Sequence, residues 1–143
     1  ILRVAGIYGP NRLPIKKAEA QAPLIRREEA PMVNLIYIND LVNIAIKLAG
    51  KVTGEMIFNV SDGAPKPWGE TQRIVTGLFN IEPALEVSYA DYWQQATNRL
   101  QEFLLNNKKL STEKVRTFLG GACPTTPIEV AINESFIREN VNR

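Results

Sequence analysis

The residue types best suited to binding a ligand stand together just after the first apolar run. Ile1–Ile7 is almost continuously apolar, and Tyr8–Arg12 adds a phenol, a glycine, a proline, a carboxamide and a guanidinium. Ligands bind beyond the carboxyl ends of parallel strands, and Gly9 permits close approach to the backbone. Arg12 is placed to hold an anionic group, the alternative being an ordinary surface arginine. A second alternative is that Gly9-Pro10 merely ends a strand.

Catalysis by imidazole is excluded, because the chain has no histidine. Ser-His-Asp and Cys-His mechanisms both need that base, and a zinc site is disfavoured because histidine and cysteine are the usual ligands. We therefore predict no metal site and no catalytic residue in this chain. Any chemistry must depend on a cofactor, or on residues that these 143 positions do not contain.

The charge balance and the single cysteine limit the partners and the compartment. Lysine and arginine number 17 against 15 acidic residues, a net charge of +2 that is spread along the chain. This charge gives no argument for nucleic acid or an anionic membrane, and no apolar run reaches the roughly 18–20 residues of a membrane span. Cys123 has no partner for an internal disulfide. We predict a cytoplasmic protein.

A second strand and a buried helix form the clearest unit. Leu35–Ile38 is rich in residues that favour strands, and Asp40 is a suitable N-cap for the helix that follows. That helix is apolar almost all round and ends at Gly50, which predicts burial on nearly every side. Asn34 and Tyr37 flank the strand and are candidate substrate contacts.

The rest of the chain completes a strand–helix alternation. Met56–Val60 predicts another buried strand and is followed by a helix from about Pro67, an order that favours parallel pairing. The fold class is therefore α/β: the last strands and helices of a doubly wound parallel sheet in residues 1–82, with a loop at 11–33, and a small substrate-side α+β region at 83–143. A buried parallel strand at the start requires neighbours, so we expect a fragment of a longer chain.

Four motifs, in this order, resemble the carboxyl half of an extended or atypical short-chain dehydrogenase/reductase, the NAD-dependent epimerase/dehydratase family. They are "LRVAGIYGPNR", "NLIYINDLVNIAI", "IFNVSDG" and "KKLSTEKVRTFLG". The resemblance implies a Rossmann domain, an NAD or NADP cofactor and a sugar or related hydroxy or carbonyl substrate. It implies that Tyr8, Gly9 and Pro10 form one wall of the nicotinamide site, with Asn11 and Arg12 facing the same cleft.

The chain departs from the family pattern in two motifs and in length. It lacks the glycine-rich dinucleotide fingerprint, and no tyrosine is followed four residues later by lysine; Tyr8, for example, is followed by Arg12. The stretch between Gly9 and Asp40 is also shorter than in typical nucleotide-sugar epimerases. We therefore expect the cofactor to be bound mainly by an amino-terminal half, and the 143 residues alone to be inactive.

The partners expected from this resemblance are the dinucleotide and a small-molecule substrate, and a homodimer is one option for assembly. Epimerisation, dehydration and reduction all stay open as the net reaction. A second class of function also stays open: a non-catalytic ligand-binding or interaction module of Rossmann-like ancestry.

Overall fold

Eight short strands and seven helices occur in the part of the chain that the computed structural model describes, residues 1–121 and 123–141. The strands are β1 Leu2–Val4, β2 Gly6–Tyr8, β3 Leu24–Ile25, β4 Met32–Val33, β5 Leu35–Tyr37, β6 Phe58–Val60, β7 Lys66–Pro67 and β8 Glu86–Val87. The helices are α1 Ile15–Glu19, α2 Ile38–Ala49, α3 Glu70–Leu78, α4 Tyr89–Gln95, α5 Asn98–Leu104, α6 Glu113–Phe118 and α7 Ile128–Val141. No helix of the described residues is long and apolar enough to cross a membrane.

The chain divides into two compact units that are interleaved in sequence. The first contains Ile1–Arg12, Asn34–Pro65 and Lys109–Arg143, and the second contains Leu13–Val33 and Lys66–Lys108. This division differs from the predicted boundary between residues 82 and 83. The two differ because strands in each unit pair with strands far away in sequence, which composition along the chain does not reveal.

In the first unit, the predicted parallel pairing is confirmed. β1 pairs with β6, and β2 pairs with β5, both in parallel register. The predicted single strand Ile1–Ile7 is divided at Ala5, because the Ala5 amide donates to Val60 O and the Gly6 amide donates to Asn34 O. One run of chain thus pairs with two different strands in succession.

The core of the first unit lies between these strands and helices α2 and α6. Seven buried apolar side chains form it: Ile36, Ile44, Leu48, Phe58, Val60, Val115 and Leu119. The predicted burial of the first strand on both faces is wrong for the described residues. Leu2 packs against this core, whereas Arg3 and Val4 are exposed.

Two predictions for α2 are also wrong. The helix begins at Ile38 with Tyr37 at the N-cap position, so Asp40 lies inside the first turn and does not cap it. Its outer face is not buried either, since Val42 is 46% and Ile46 is 66% exposed. The buried face, through Ile44 and Leu48, is the ordinary stripe of an amphipathic helix.

In the second unit, the predicted loop 11–33 carries regular structure from α1 onward. α1 packs against α3, β3 pairs in parallel with β8, and β4 pairs antiparallel with β7. The strands β3, β4 and β7 have only two residues each, too few for alternation to mark them as strands. β8 lies within Leu85–Tyr89, whose alternation does predict a half-exposed strand, and that prediction is confirmed. The pairing partners lie far away in sequence, so local patterning could not predict which strands pair.

One arginine joins three elements of this second unit. Arg73 on α3 donates from Nε to Glu86 Oε1 at 2.7 Å, from Nη2 to Ile25 O at 2.5 Å and from Nη1 to Trp68 O at 3.3 Å. Its side chain is 12% exposed. Hydrogen bonds from a charged donor in a largely buried position are worth more than neutral surface bonds.

Arg73→Met should therefore lower the free energy of unfolding by roughly 2–3 kcal/mol, because it leaves buried carbonyl groups without a donor. Arg26→Met is the matched control, since Arg26 pairs at the surface with Glu29 and its side chain is 50% exposed. That control should cost at most about 1 kcal/mol. Urea denaturation checks both, and equal losses in the two variants would contradict this role of Arg73.

Candidate functional site

The carboxyl ends of two parallel strands meet in the first unit, and a third strand ends at the level where one of them begins. β2 ends at Tyr8 and β5 ends at Tyr37, and these two residues lie opposite each other in the register. β6 ends at Val60, and the Asp62 amide that follows it donates to Leu35 O at 2.8 Å, so this end lies beside the start of β5. We call this group of strand ends the carboxyl edge. Ligands of open parallel sheets bind at such edges.

The two tyrosines pack against each other. Their ring centroids are 5.7 Å apart with an interplanar angle of 31°, and Tyr8 is 4% and Tyr37 is 1% exposed. Aromatic pairs at this separation are favourable in tilted arrangements. The two rings therefore form a fixed buried pair at the carboxyl edge.

The hydroxyl of Tyr37 is fully engaged within the protein. It donates to Glu134 Oε2 at 3.1 Å and accepts from Asn39 Nδ2 at 3.0 Å. Burial raises the pKa of this phenol above its ordinary value. Tyr37 was predicted to contact substrate, and the structure shows its hydroxyl joining β5 to α7.

The hydroxyl of Tyr8 is not engaged in this way. No described residue forms a hydrogen bond with it. The small part of the Tyr8 side chain that is exposed to solvent includes this oxygen. Burial raises the pKa of Tyr8, and the charges of Asp62 and then Asp40 raise it further. Tyr8 therefore stays protonated at neutral pH and presents a hydrogen-bond donor. A phenol held this far from ionisation is a poor general acid or base.

The segment after Tyr8 turns sharply. The Arg12 amide donates to Gly9 O at 3.0 Å, and Asn11 has a φ of +62°, an arrangement typical of a type II turn with proline at its second position. The Asn11 amide donates to the Glu139 carboxylate on α7. Arg12 is exposed, and within the described ranges its guanidinium forms no salt bridge.

Packing within the protein requires a glycine at position 9. Its φ is +156°, and a Cβ built on it would lie 2.6 Å from Cγ2 of Ile38. The missing side chain thus points at the first residue of α2. The predicted role of Gly9 as cofactor wall remains a prediction, but this close contact has a structural cause of its own.

Asn34 lies apart from the other predicted residues. It precedes β5, whereas Tyr37 ends that strand, so the two stand at opposite ends of it. The Asn34 side chain accepts from the Leu110 amide at 2.9 Å. Tyr8, Gly9, Pro10 and Tyr37 are brought together at the carboxyl edge, and Asn11 and Arg12 continue from it.

Asp40 joins two elements by a pair of hydrogen bonds. It is 4% exposed, and its carboxylate accepts from the Thr126 amide at 2.7 Å and from Thr126 Oγ1 at 2.8 Å. Thr126 shortly precedes α7 and lies 86 positions from Asp40. Asp40 is thus a structural acceptor that fixes the beginning of α7 beside α2.

Sequence reasoning missed the carboxylates that surround the carboxyl edge. Asp62 follows β6, and its side chain accepts from the Ala64 amide at 2.9 Å. Glu129 and Glu134 lie on α7. Glu134, which contacts Tyr37, is 97 positions away from it in the sequence. No spacing within the chain indicates such a contact, because it depends on the packing of α7.

The described residues contain no group of three or more histidine, cysteine, aspartate or glutamate side chains placed to hold a metal ion. The arrangement at the carboxyl edge instead offers one open phenol donor, a rigid turn and an exposed guanidinium. Such groups bind and orient a ligand.

Gly9→Ala tests the packing around the turn. The added methyl group meets Ile38 at a distance that real Cβ atoms do not show, so stability should fall by roughly 1–3 kcal/mol. Gly54→Ala is a control at a second glycine with positive φ, +82°, where no atom lies within 4 Å of the built Cβ. Thermal unfolding without ligand distinguishes them. A Gly9→Ala protein that is no less stable than Gly54→Ala would show that Ile38 yields.

The comparisons with known proteins identify the fold. No protein-family model matches the chain, and no curated protein matches its sequence. Among solved structures, a functionally unknown conserved protein from Silicibacter pomeroyi superposes with a TM-score of 0.82 at 20% identity, over 96% of this chain and 48% of that one.

Two further similar structures are those of named enzymes. ADP-L-glycero-D-manno-heptose-6-epimerase from Helicobacter pylori matches at a TM-score of 0.70 and 15% identity, over 97% of this chain and 43% of the epimerase. The enzyme WbmF from Bordetella bronchiseptica, solved with NAD⁺ and UDP, matches at 0.68 and 17% identity, over 99% and 45%. This chain therefore has the α/β fold found in these structures and spans about half of their length.

Proposed function

We propose that this chain is the carboxyl half of an NAD(P)-dependent enzyme of the epimerase/dehydratase group of short-chain dehydrogenases/reductases, acting on a sugar or a related hydroxy or carbonyl compound. The observation that carries the proposal is the carboxyl edge, where the open hydroxyl of Tyr8 stands at the end of parallel strands. The similarity to folds that include an epimerase and an enzyme crystallised with NAD⁺ supports it. A cytoplasmic location and a homodimer stay predictions.

The residues present fit a nicotinamide ring. The Tyr8 hydroxyl, kept protonated by its raised pKa and held in place by the packing of the Tyr8 ring against Tyr37, is free to donate to a polar group of the cofactor. Bound there, a nicotinamide cofactor supplies the hydride acceptor or donor. The glycine-rich fingerprint is absent from these 143 residues. Binding of the rest of the dinucleotide is therefore assigned to an amino-terminal half.

The residues of this chain then have distinct tasks. Tyr8, with Gly9 and Pro10, borders the nicotinamide, and Tyr37 fixes the position of Tyr8 through ring packing. Asn11 and Arg12 continue toward the substrate, where the exposed guanidinium is suited to an anionic group. Asn34 is the weakest of the proposed substrate contacts, because its side chain already holds the Leu110 amide.

Removing the open hydroxyl tests the cofactor site. In the full natural protein that contains these residues, Tyr8→Phe should raise the Kd of the dinucleotide about three- to tenfold, the loss of one hydrogen bond. Tyr92→Phe is the matched control, since Tyr92 is a partly buried tyrosine of the second unit. Calorimetric titration with NAD⁺ and NADP⁺ measures both variants. Failure of the wild-type protein to bind either dinucleotide would contradict the proposed function.

Removing the exposed guanidinium tests the substrate side. Arg12→Ala should leave the Kd of the dinucleotide unchanged and raise KM if the substrate carries an anionic group, because only ground-state binding to that group is lost. Arg99→Ala, at an exposed position of the second unit, should change neither quantity. A fall in kcat at unchanged KM would show instead that Arg12 acts in the transition state.

A further inference from the structure

The carboxyl-terminal helix α7 reaches the turn that follows Tyr8. Its inner face is buried at residues with helical spacing: Ile128, Ala131, Ile132 and Ser135. Glu139 lies one helical turn beyond Ser135, so it continues this face, and it is half-buried. A carboxylate therefore stands where the pattern would continue with an apolar side chain. Its partner is the Asn11 amide, which donates to it from the turn.

The Gly9–Arg12 turn has two available conformations. Type I and type II turns both accept proline at their second position, and they differ in the orientation of the peptide group between the second and third residues. Here that group joins Pro10 to Asn11. Type II needs a positive φ at the third residue, which is less favourable than type I for residues other than glycine. Asn11 has a φ of +62°, so a contact outside the turn is expected to favour this conformation.

Glu139 supplies that contact. Within the described ranges, the bond from the Asn11 amide to Glu139 is the only hydrogen bond that joins the turn to another element. The bond from the Arg12 amide to Gly9 O lies within the turn itself. Rotation of the Pro10–Asn11 peptide group would direct the Asn11 N–H away from the carboxylate. A bond that exists in only one of two conformations shifts the population toward that one.

The helix that carries Glu139 is itself held in place at two points. The Asp40 carboxylate accepts from the Thr126 amide at 2.7 Å and from its hydroxyl at 2.8 Å, just before α7 begins. Glu134 accepts from the Tyr37 hydroxyl at 3.1 Å. All of these residues belong to the same compact unit as the turn. The acceptor for the Asn11 amide is therefore fixed relative to the strands from which the turn extends.

We propose that Glu139 is a positioning residue for the substrate side of the site. Through the Asn11 amide it holds the Gly9–Arg12 turn in one conformation, and so it preorganises the Arg12 guanidinium for an anionic group. This inference rests on the proposed function, which gives Arg12 that task, and deepens it. A group that is already ordered loses less conformational freedom on binding. The affinity for an anion therefore depends on this bond, although Glu139 itself contacts no ligand.

The charge of Glu139 and its hydrogen bond act on an anion in opposite directions. A negative charge near Arg12 disfavours a bound anion, whereas the acceptor oxygen favours the ordered turn. Glu139→Gln keeps an acceptor oxygen and removes the charge. Glu139→Ala removes both. An affinity that falls only in the alanine variant therefore reports the positioning effect, because the loss of charge alone would raise it.

The first measurement uses inorganic phosphate as the probe, titrated into the full natural protein and followed by NMR at the Arg12 Nε–H. Glu139→Ala should raise the Kd of phosphate about two- to tenfold, the population shift that one hydrogen bond can produce. Glu139→Gln should bind phosphate at least as tightly as the wild type. Glu55→Ala, which removes an exposed carboxylate elsewhere in the first unit, should not weaken phosphate binding.

The second measurement is the Kd of NAD⁺, by calorimetric titration of the same variants. It should not change in Glu139→Ala, because Tyr8 packs on Tyr37 and Gly9 is buried beside Ile38. A merely structural role of Glu139 would weaken both ligands together.

The third measurement is made without ligand and reports on the turn directly. Hydrogen exchange at the Asn11 amide should be about two- to tenfold faster in Glu139→Ala, because the amide loses its acceptor. In Glu139→Gln the exchange should stay slow.

The outcomes separate the two proposals. Weaker phosphate binding in Glu139→Ala alone, with faster exchange and an unchanged Kd of NAD⁺, supports the inference. Unchanged exchange overturns it, and so does an unchanged Kd of phosphate, equal weakening of both ligands, or failure of Glu139→Gln to restore binding. Absence of a phosphate response at Arg12 in the wild type overturns it as well, while NAD⁺ or NADP⁺ binding still supports the proposed function. Absence of dinucleotide binding overturns both.

Discussion

The change of partner at Ala5 is the constraint on which the site depends. The Ala5 amide donates to β6 and the Gly6 amide donates to the segment entering β5, so a single run of chain aligns two other strands in parallel. Parallel pairing of β2 with β5 places Tyr8 beside Tyr37, although the two are distant in sequence. The same run, paired with β6 through its first residues, brings the end of β6 to the start of β5, where the Asp62 amide donates to Leu35 O. A register slip of one residue would turn each side chain to the opposite face.

α7 completes this edge from the far end of the chain. Asp40 holds the start of the helix through Thr126, and Tyr37 holds its middle through Glu134. Its inner face is fully buried at Ala131, Ile132 and Ser135. Helix and strands therefore fix each other, because the buried apolar face gives the energy and the polar contacts give the orientation.

Sequence reasoning succeeded where the signal was local and failed where it depended on distant packing. The α/β class, the strands near Leu35 and Phe58 and the parallel pairing followed from apolar runs and the order of elements. The two-residue strands β3 and β4 could not be predicted, because each contributes a pattern too short to recognise. Asp40 was expected to cap α2, and it instead accepts from Thr126, a partner 86 positions away that no local rule could indicate.

The two tyrosines show how much of a site lies beyond residue type and position. Both end a parallel strand, both are nearly completely buried, and their rings pack against each other. Their hydroxyl groups differ because α7 supplies Glu134 and α2 supplies Asn39 to Tyr37, whereas Tyr8 receives neither. A phenol with partners inside the protein joins elements of the fold, and one whose oxygen stays open to solvent retains its donor for a ligand. Whether a tyrosine at a strand end stabilises the fold or binds a ligand therefore depends more on its hydrogen-bond partners than on its position.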